Sequence, residues 1–255
     1  MEDLILPHQD KEFISTTDSG GWLLNNGFLI FKTTPYMKDF LGVLWRQHLA
    51  LKSKERGDQK FFIDYLKKVQ LSPEKYHLYP QADVCAPPFL RHPHSFSLHV
   101  MGMHLNDIRL TQIRAVNGVV LKEKPLPIGK REEFFALREK WAEFRDYNFF
   151  KFIQQELPSP TSLASPPFSC YNPGQKLAVV SLYTPEIAGY AIESEKNIKS
   201  YCEKQGYTFY VYRGALDPHS HGNWSKPKAL LNHIEDHAAL IWMDSDTLIF
   251  NPEKK

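Results

Sequence analysis

Ile241-Trp242-Met243-Asp244-Ser245-Asp246-Thr247-Leu248-Ile249-Phe250 is the stretch of sequence that decides the fold. The apolar run 238–243 predicts a buried strand, and two carboxylates one residue apart close it. At the end of a strand, Asp244 and Asp246 can both face a cleft, where hard oxygen ligands suit Mn²⁺ or Mg²⁺ and a metal-bound diphosphate. Asp-Ser-Asp also forms ordinary polar turns. Because a second apolar run, 248–250, follows at once, the acids interrupt a buried path and indicate a functional site.

The composition of the chain is typical of a globular protein. It has 255 residues, of which 42% are hydrophobic and 24% charged, so we predict a substantial core. The formal net charge of +2 argues neither for nor against a basic surface patch, and no nucleic-acid partner is predicted. Cys85, Cys170 and Cys202 have no metal-binding spacing, and their odd number predicts no disulfide framework. No apolar run reaches about 18 residues, and the first residues do not resemble a signal peptide. We expect a cytoplasmic protein, or alternatively a lumenal or secreted catalytic fragment, and membrane contact is not predicted.

Strands and helices alternate in the last third of the chain. The predicted strands are Leu177–Leu182, Thr208–Tyr212 and Ala238–Met243, and the predicted helices between them are Ile187–Lys204 and Lys226–Asp236. This β-α-β-α-β order implies a parallel sheet, with ligands expected at the carboxyl ends of its strands.

The first part of the chain has a different pattern, and a proline-rich stretch, 157–176, separates it from the last part as a predicted linker. The predicted strands are Phe13–Thr16, Phe28–Phe31 and Ser97–Met101, with a turn region at Gly20–Gly21 and Asn25–Gly27. The predicted helices are Pro35–His48, Asp58–Val69, Asn106–Ala115 and Arg131–Gln155.

Residues 177–252 resemble nucleotide-sugar-dependent glycosyltransferases of the GT-A fold, most closely the family of fungal galactosyl- and mannosyltransferases and plant xyloglucan xylosyltransferases. That family has a Trp-x-Lys ahead of a helix, an apolar strand ending in Trp-x-Asp-x-Asp, and then an apolar run and Asn-Pro. Trp224-Ser225-Lys226, Trp242 to Asp246 and Asn251-Pro252 stand here in that order. The resemblance implies an α/β fold of the GT-A, Rossmann-like type, in which helices flank a mixed sheet.

Other motifs of the family stand in front of this segment, although in the family they follow it. Asn25-Asn26-Gly27 resembles a Leu-Asn-x-Gly strand entry, Gly57-Asp58-Gln59 an Asp-Gln motif, and His99 to Gly102 a late His-x-x-Gly. Residues 1–7 would also continue residues 253–255 naturally, as a short helix after Asn-Pro.

The resemblance therefore implies a circularly permuted order. The acceptor and metal-histidine half, 1–156, the proline-rich linker, 157–176, and the nucleotide-binding half, 177–255, would together form one GT-A domain. Permutation is tolerated when the native ends lie close together and the new ends fall in an exposed turn.

The resemblance also implies a metal site. Asp244, Asp246 and His99 would bind Mn²⁺ or Mg²⁺, with Asp246 as the more direct ligand and Asp244 also near the ribose. From the residues alone, a single histidine at a strand end is more often a structural hydrogen-bonding group. Gly102 would let the backbone approach the phosphate. His104 stands where the family often has a lysine that touches the diphosphate, and an exposed residue at a helix start is the equal alternative.

Three further residues are implied to bind the donor. Lys226 would contact the donor phosphate or nucleotide, although most lysines in such positions are simply solvated. Tyr183 and Thr184 end the first parallel strand, where such enzymes hold the base and ribose. Either residue could equally belong to a simple turn.

The sugar pocket is implied by the motifs of the first half. Asp58 would hold sugar hydroxyls, and Gln59 would stabilise the developing oxocarbenium charge; an aspartate at a helix start is also a favoured capping residue. Asn26 and Gly27 would line the same pocket, with a hairpin turn as the alternative. Asp18 would reach the sugar or the acceptor.

The expected function is metal-dependent transfer of a hexose or pentose from a nucleotide diphosphate sugar to a hydroxyl of a glycan, protein or small-molecule acceptor. A UDP-sugar is preferred by family frequency, and the family retains anomeric configuration. Alternatives are a nucleotidyltransferase-like enzyme and a non-catalytic member of the fold. Residues 183–189 contain neither a P-loop nor a G-x-G-x-x-G cradle, which argues against the first alternative. The presence of the acids, His99 and the Asp-Gln pair argues against the second.

Overall fold

The computed structural model describes residues 1–18, 21–51, 58–69, 71–87, 90, 92, 94–99, 166–219 and 222–255. Its helices are α1 (Glu2–Ile5), α2 (Pro35–Leu51), α3 (Asp58–Lys68), α4 (Gln81–Val84), α5 (Ala188–Gln205) and α6 (Lys226–Leu231). Its strands are β1 (Phe13–Thr16), β2 (Asn25–Lys32), β3 (Tyr76–Tyr79), β4 (Cys85–Ala86), β5 (Ser97–His99), β6 (Phe168–Tyr171), β7 (Leu177–Leu182), β8 (Thr208–Tyr212), β9 (Ala239–Met243) and β10 (Thr247–Ile249). The predicted helices Asn106–Ala115 and Arg131–Gln155 lie outside the described residues.

The strands form two sheets, and both contain strands from the two ends of the chain. The larger sheet has seven strands in the order β3-β1-β2-β9-β7-β8-β6, and the smaller has the order β10-β5-β4. Strands β9, β7 and β8 are parallel, as the alternation of elements predicts. Strand β2 pairs antiparallel with β9, and β5 pairs antiparallel with β10. The predicted mixed sheet flanked by helices is confirmed.

Side chains alternate between the two faces of the central strands. In β9, Ile241 and Met243 join one core cluster, whereas Leu240 and Trp242 join the other. Helices α2, α3 and α6 cover the second face, and α5 with the small sheet covers the first. A strand buried on both faces has a nearly continuous apolar sequence, as β9 has. Burial of each large apolar side chain stabilises the fold by about 1.5–3 kcal/mol.

Helix boundaries follow local signals. Helix α2 begins at Pro35, a permitted first-turn residue, and the Thr34 hydroxyl accepts a hydrogen bond from the Met37 N–H at 3.3 Å. Helix α5 ends at Gln205, and the next residue, Gly206, caps it with a φ of 73° in the left-handed region. Because glycine has no Cβ, it adopts this conformation without strain.

The predicted helix Lys226–Asp236 is too long, because α6 ends at Leu231. Beyond it, the His233 ring stacks on Tyr210 with centroids 3.6 Å apart, and His233 Nε2 lies 2.7 Å from the Tyr212 hydroxyl. These contacts with β8 outweigh the helix propensity of residues 232–236. They direct the chain back to the sheet, where β9 begins at Ala239.

The predicted turn at Asn25–Gly27 is wrong, because these residues begin β2. The Gly27 carbonyl accepts a hydrogen bond from the Asp244 N–H at 2.9 Å, which extends the β2–β9 ladder. The Asn25 side chain accepts the Gly27 N–H at 3.0 Å. An Asn-Asn-Gly sequence is typical of hairpins, but here a neighbouring strand supplies the hydrogen bonds that a turn would make internally.

The predicted linker 157–176 includes one strand. Strand β6, Phe168–Tyr171, pairs antiparallel with β8 at the edge of the large sheet. This part of the proline-rich stretch is therefore built into the sheet, because alternate β6 side chains can pack on β8 despite the flanking prolines. Among the described residues, no helix has both the length and the apolar character needed to cross a membrane.

Candidate functional site

A tight turn between β9 and β10 positions the two acids. The Asp244 carbonyl accepts a hydrogen bond from the Thr247 N–H at 3.0 Å, while the Asp244 N–H is bound to Gly27. The Asp244 side chain is 29% exposed and the Asp246 side chain 9%. The turn therefore holds both carboxylates at the carboxyl end of β9, where the sequence predicts a ligand site.

His99 reaches the acids from the last residue of β5. It lies directly opposite Thr247 in the antiparallel β5–β10 pair. Its Nε2 is 3.1 Å from Asp246 Oδ1 and 3.8 Å from Asp244 Oδ2. Each of the three side chains can offer one ligand atom, and these atoms lie within 4.8 Å of one another. Residues almost 150 positions apart in the chain thus converge on one point, as the resemblance implies.

The His99 ring lies against the backbone of Gly27. A Cβ added at position 27 would come within 2.2 Å of His99 Cε1. A side chain at this position would therefore displace the imidazole from the acids. Glycine is needed at position 27 because the His99 ring leaves no room for a side chain; the backbone there has no positive φ.

The residues fit a divalent cation. Burial alone would lower the pKa of His99, but the Asp246 carboxylate and Cys85 outweigh it and hold that pKa well above its usual value, so a cation that binds here must displace the proton on Nε2. Within the described part of the chain, His99 Nδ1 is buried and has no hydrogen-bond partner. Two carboxylates and one imidazole form a donor set that suits Mn²⁺. The arrangement can therefore hold a metal ion at the face that Asp244, Asp246 and His99 share.

Lys226 links the acid pair to a third acid, Asp58. Its Nζ donates to the Asn26 carbonyl at 2.8 Å and lies 3.2 Å from Asp58 Oδ2 and 3.3 Å from Asp244 Oδ1. Lys226 is only 5% exposed, and these three oxygens provide one acceptor for each of its three N–H bonds. Burial would lower the pKa of Lys226, but Asp244 and Asp58 outweigh it and raise that pKa. The lysine is thus an internal ion-pair bridge, and its contact with a donor phosphate stays a prediction.

Asp58 and Gln59 begin α3 beside this bridge. Asp58 Oδ2 accepts a hydrogen bond from Asn26 Nδ2 at 2.8 Å. Burial raises the pKa of Asp58, and the attraction of Lys226 opposes that shift without cancelling it. Gln59 Nε2 donates to Asp18 Oδ2 at 3.2 Å and to the Leu24 carbonyl at 3.0 Å. The structure therefore brings the predicted sugar-side residues together next to the acid pair.

Tyr183 and Thr184, which the sequence predicts to bind the donor, have different surroundings: the Tyr183 side chain is buried, and Thr184 lies beside Gly222. The Tyr183 hydroxyl is 2.7 Å from Glu195 Oε2 and accepts from Arg213 Nε at 3.1 Å, and the side chain is 2% exposed. Burial foremost raises the pKa of Tyr183 above its ordinary range. Thr184 Cγ2 lies 2.7 Å from the position of a Cβ added at Gly222, in the turn that leads to Lys226. Gly102 and His104 lie outside the described residues.

The sequence did not reveal two residues that contact the site. Trp242 Nε1 donates to Asp244 Oδ1 at 2.6 Å, and Asn25 Nδ2 donates to Asp18 Oδ2 at 3.2 Å. Residues i and i+2 of a strand share a face, so the spacing of Trp242 and Asp244 held a usable signal. The Asn25 contact depends on the loop between β1 and β2, for which the sequence pattern gives no geometry.

Comparison with known proteins identifies the class of enzyme. A profile of the galactosyl transferase GMA12/MNN10 family matches residues 180–255. Comparisons with curated proteins and with solved structures returned no match. The matched segment contains Lys226, Asp244 and Asp246, whereas His99 and Asp58 come from outside it. The match supports a glycosyltransferase, an enzyme that transfers sugar.

Proposed function

We propose that the chain transfers a hexose or pentose from a nucleotide diphosphate sugar, preferably a UDP-sugar, to an acceptor hydroxyl with retention of configuration, and that it depends on a divalent metal. One observation carries this proposal. Asp244, Asp246 and His99 converge from separate parts of the chain, and Lys226 links them to Asp58.

Asp244, Asp246 and His99 would hold Mn²⁺ or Mg²⁺, which when bound supplies positive charge beside a leaving diphosphate. Asp246 is the more buried acid and lies closer to His99, which favours it as the more direct ligand. Asp244 is more exposed and is left to contact the ribose as well. We propose that Gly102 and His104 approach the diphosphate and that Thr184 lines the nucleotide side.

Asp58 and Gln59 are proposed to bind the transferred sugar. Asn26 and Lys226 hold the Asp58 carboxylate, which suits it to accept hydrogen bonds from sugar hydroxyls. Both N–H groups of the Gln59 amide are directed at Asp18 and at the Leu24 carbonyl. The stabilisation of a developing oxocarbenium ion therefore falls to the carbonyl oxygen of Gln59. Asn26, Gly27 and Asp18 complete this side of the pocket.

We propose that the anomeric configuration is retained because the acceptor hydroxyl attacks the same face of the sugar from which the diphosphate departs. The bond from the anomeric carbon to the phosphate oxygen breaks first. The acceptor oxygen then bonds to the anomeric carbon from the same side, and the acceptor proton passes to that phosphate oxygen. Asp58 and Gln59 hold the short-lived cation between these events. NMR of the first product formed would contradict retention if its anomeric configuration were inverted.

A GT-A fold in circularly permuted order is proposed for the whole chain. Strand β2 lies beside β9 and β5 beside β10, so the family motifs from the two halves adjoin despite their reversed order. The Asp3 N–H also donates to the Lys255 carbonyl at 2.9 Å, which suits a helix that follows Asn-Pro. A chain re-ordered as 157–255 followed by 1–156, which keeps strand β6 attached to β7, is expected to fold and to bind the same donor. Failure of this chain to fold, as judged by circular dichroism, would count against the permuted order.

The test of the function is donor turnover by metal-free protein supplied with Mn²⁺ and a panel of nucleotide sugars. We expect release of the nucleoside diphosphate from one or a few donors, faster with Mn²⁺ than with a chelator. Incubation with nucleoside triphosphates and sugar phosphates tests the nucleotidyltransferase alternative, which predicts release of pyrophosphate. Binding of a nucleotide sugar without any turnover would instead support a non-catalytic protein.

A further inference from the structure

Trp242 reaches the acid pair from within the large sheet. It lies in β9 opposite Leu29 of β2 and Val180 of β7, and it is 3% exposed. Its indole Nε1 donates to Asp244 Oδ1 at 2.6 Å. A phenylalanine would fill the same apolar layer, but it could not make this hydrogen bond. A buried indole N–H needs a partner, and here the partner is a carboxylate of the site.

The two oxygens of Asp244 have different surroundings. Oδ1 accepts from Trp242 and lies 3.3 Å from Lys226 Nζ, whereas Oδ2 lies 3.8 Å from His99 Nε2. Two donors therefore fix Oδ1 on the side of the sheet. Oδ2 is turned toward His99 and Asp246, the other two members of the candidate metal site. Of these two donors, only the indole is rigid and held by the strand register.

We propose that Trp242 is a positioning residue that orients Asp244, so that Oδ2 alone is presented to the metal and donor. Lys226 cannot perform this task alone, because it also binds Asp58 Oδ2 and the Asn26 carbonyl. Without the indole N–H, the Asp244 carboxylate is free to rotate toward the ammonium of Lys226. Oδ2 would then turn away from His99. This inference rests on the proposed function, because it assigns Asp244 to a metal site.

The experiment is a titration of metal-free protein with Mn²⁺, followed by electron paramagnetic resonance. Trp242→Phe keeps an aromatic ring and removes the N–H donor, so we expect its Kd for Mn²⁺ to rise roughly ten-fold, the size usual for loss of a group that orients a ligand. Trp45→Phe is the matched control, since Trp45 lies in α2 and its ring packs on that of His48. Its Kd should equal that of the wild type.

A second variant separates the hydrogen bond from the packing. Replacement of Trp242 by β-benzothienylalanine retains the bicyclic shape and exchanges N–H for sulfur, so it should weaken Mn²⁺ binding as much as Trp242→Phe. Wild-type affinity in the β-benzothienylalanine variant would overturn the positioning role, whatever the affinity of Trp242→Phe. The proposed function would still stand if the wild-type enzyme bound Mn²⁺ and turned over donor. If the wild type bound no Mn²⁺, the proposed function itself would fail, and this inference with it.

Discussion

Lys226→Met is expected to lower the free energy of unfolding by about 3 kcal/mol, the lower end of the cost of breaking a buried ion pair, because it leaves two partly buried carboxylates without their common cation. Lys226 Nζ lies 3.2 Å from Asp58 and 3.3 Å from Asp244, and methionine fills a similar volume without charge. The Asn26 carbonyl also loses its donor. Urea denaturation of metal-free protein measures the effect. Donor turnover should fall as well, because the substitution releases acids on both sides of the proposed reaction centre.

Lys38→Met provides the matched comparison. Lys38 pairs with Glu235 at the surface, where the two side chains are 51% and 72% exposed, so the same substitution should cost less than about 1 kcal/mol. A double variant, Lys226→Met with Asp58→Asn, should recover part of the lost stability by removing one of the stranded charges. If Lys226→Met cost no more than Lys38→Met, the bridge would have no structural importance.

Asp246→Asn is expected to reduce donor turnover by on the order of 10³-fold and to abolish tight Mn²⁺ binding. The substitution preserves shape but removes the negative charge nearest to His99 Nε2, at 3.1 Å. It also leaves a buried imidazole whose raised pKa depends on that carboxylate. Turnover of the preferred donor and a Mn²⁺ titration would be measured on the same preparation.

Asp83→Asn is the control for this change. Asp83 Oδ1 lies 2.7 Å from His92 Nε2 in a half-exposed pair, so the variant loses an aspartate–histidine contact of the same kind outside the site. Its turnover and Mn²⁺ affinity should remain at wild-type values. Undiminished turnover in Asp246→Asn would remove Asp246 from the proposed mechanism.

Sequence periodicity predicted the parallel part of the fold well, because β7, β8 and β9 are short apolar runs separated by helices. The bounds of β7 and β8 are those predicted. The prediction failed where contacts between distant elements determine local structure. Asn25–Gly27 joins a strand because β9 supplies its hydrogen bonds, and α6 ends early because His233 packs on Tyr210. Neither partner can be identified from the local sequence.

The grouping of candidate site residues came mainly from motif resemblance. Spacing alone could place Asp244 and Asp246 at a strand end, but it could not bring His99 to them, because that contact depends on the β5–β10 pairing. The internal bonding of Lys226 was also beyond sequence reasoning. A lysine at a helix start is usually solvated, and only the three-dimensional arrangement shows three acceptors around it.

The position of β9 between β2 and β7 has a consequence for synthesis on the ribosome. Strand β2 ends at Lys32, but the strand that covers its free edge begins at Ala239, so on the order of tens of seconds of translation separate the two. During that interval the nascent chain presents an unpaired, apolar strand edge, which is prone to aggregation. We therefore expect newly made protein to need chaperone protection until its last strands emerge.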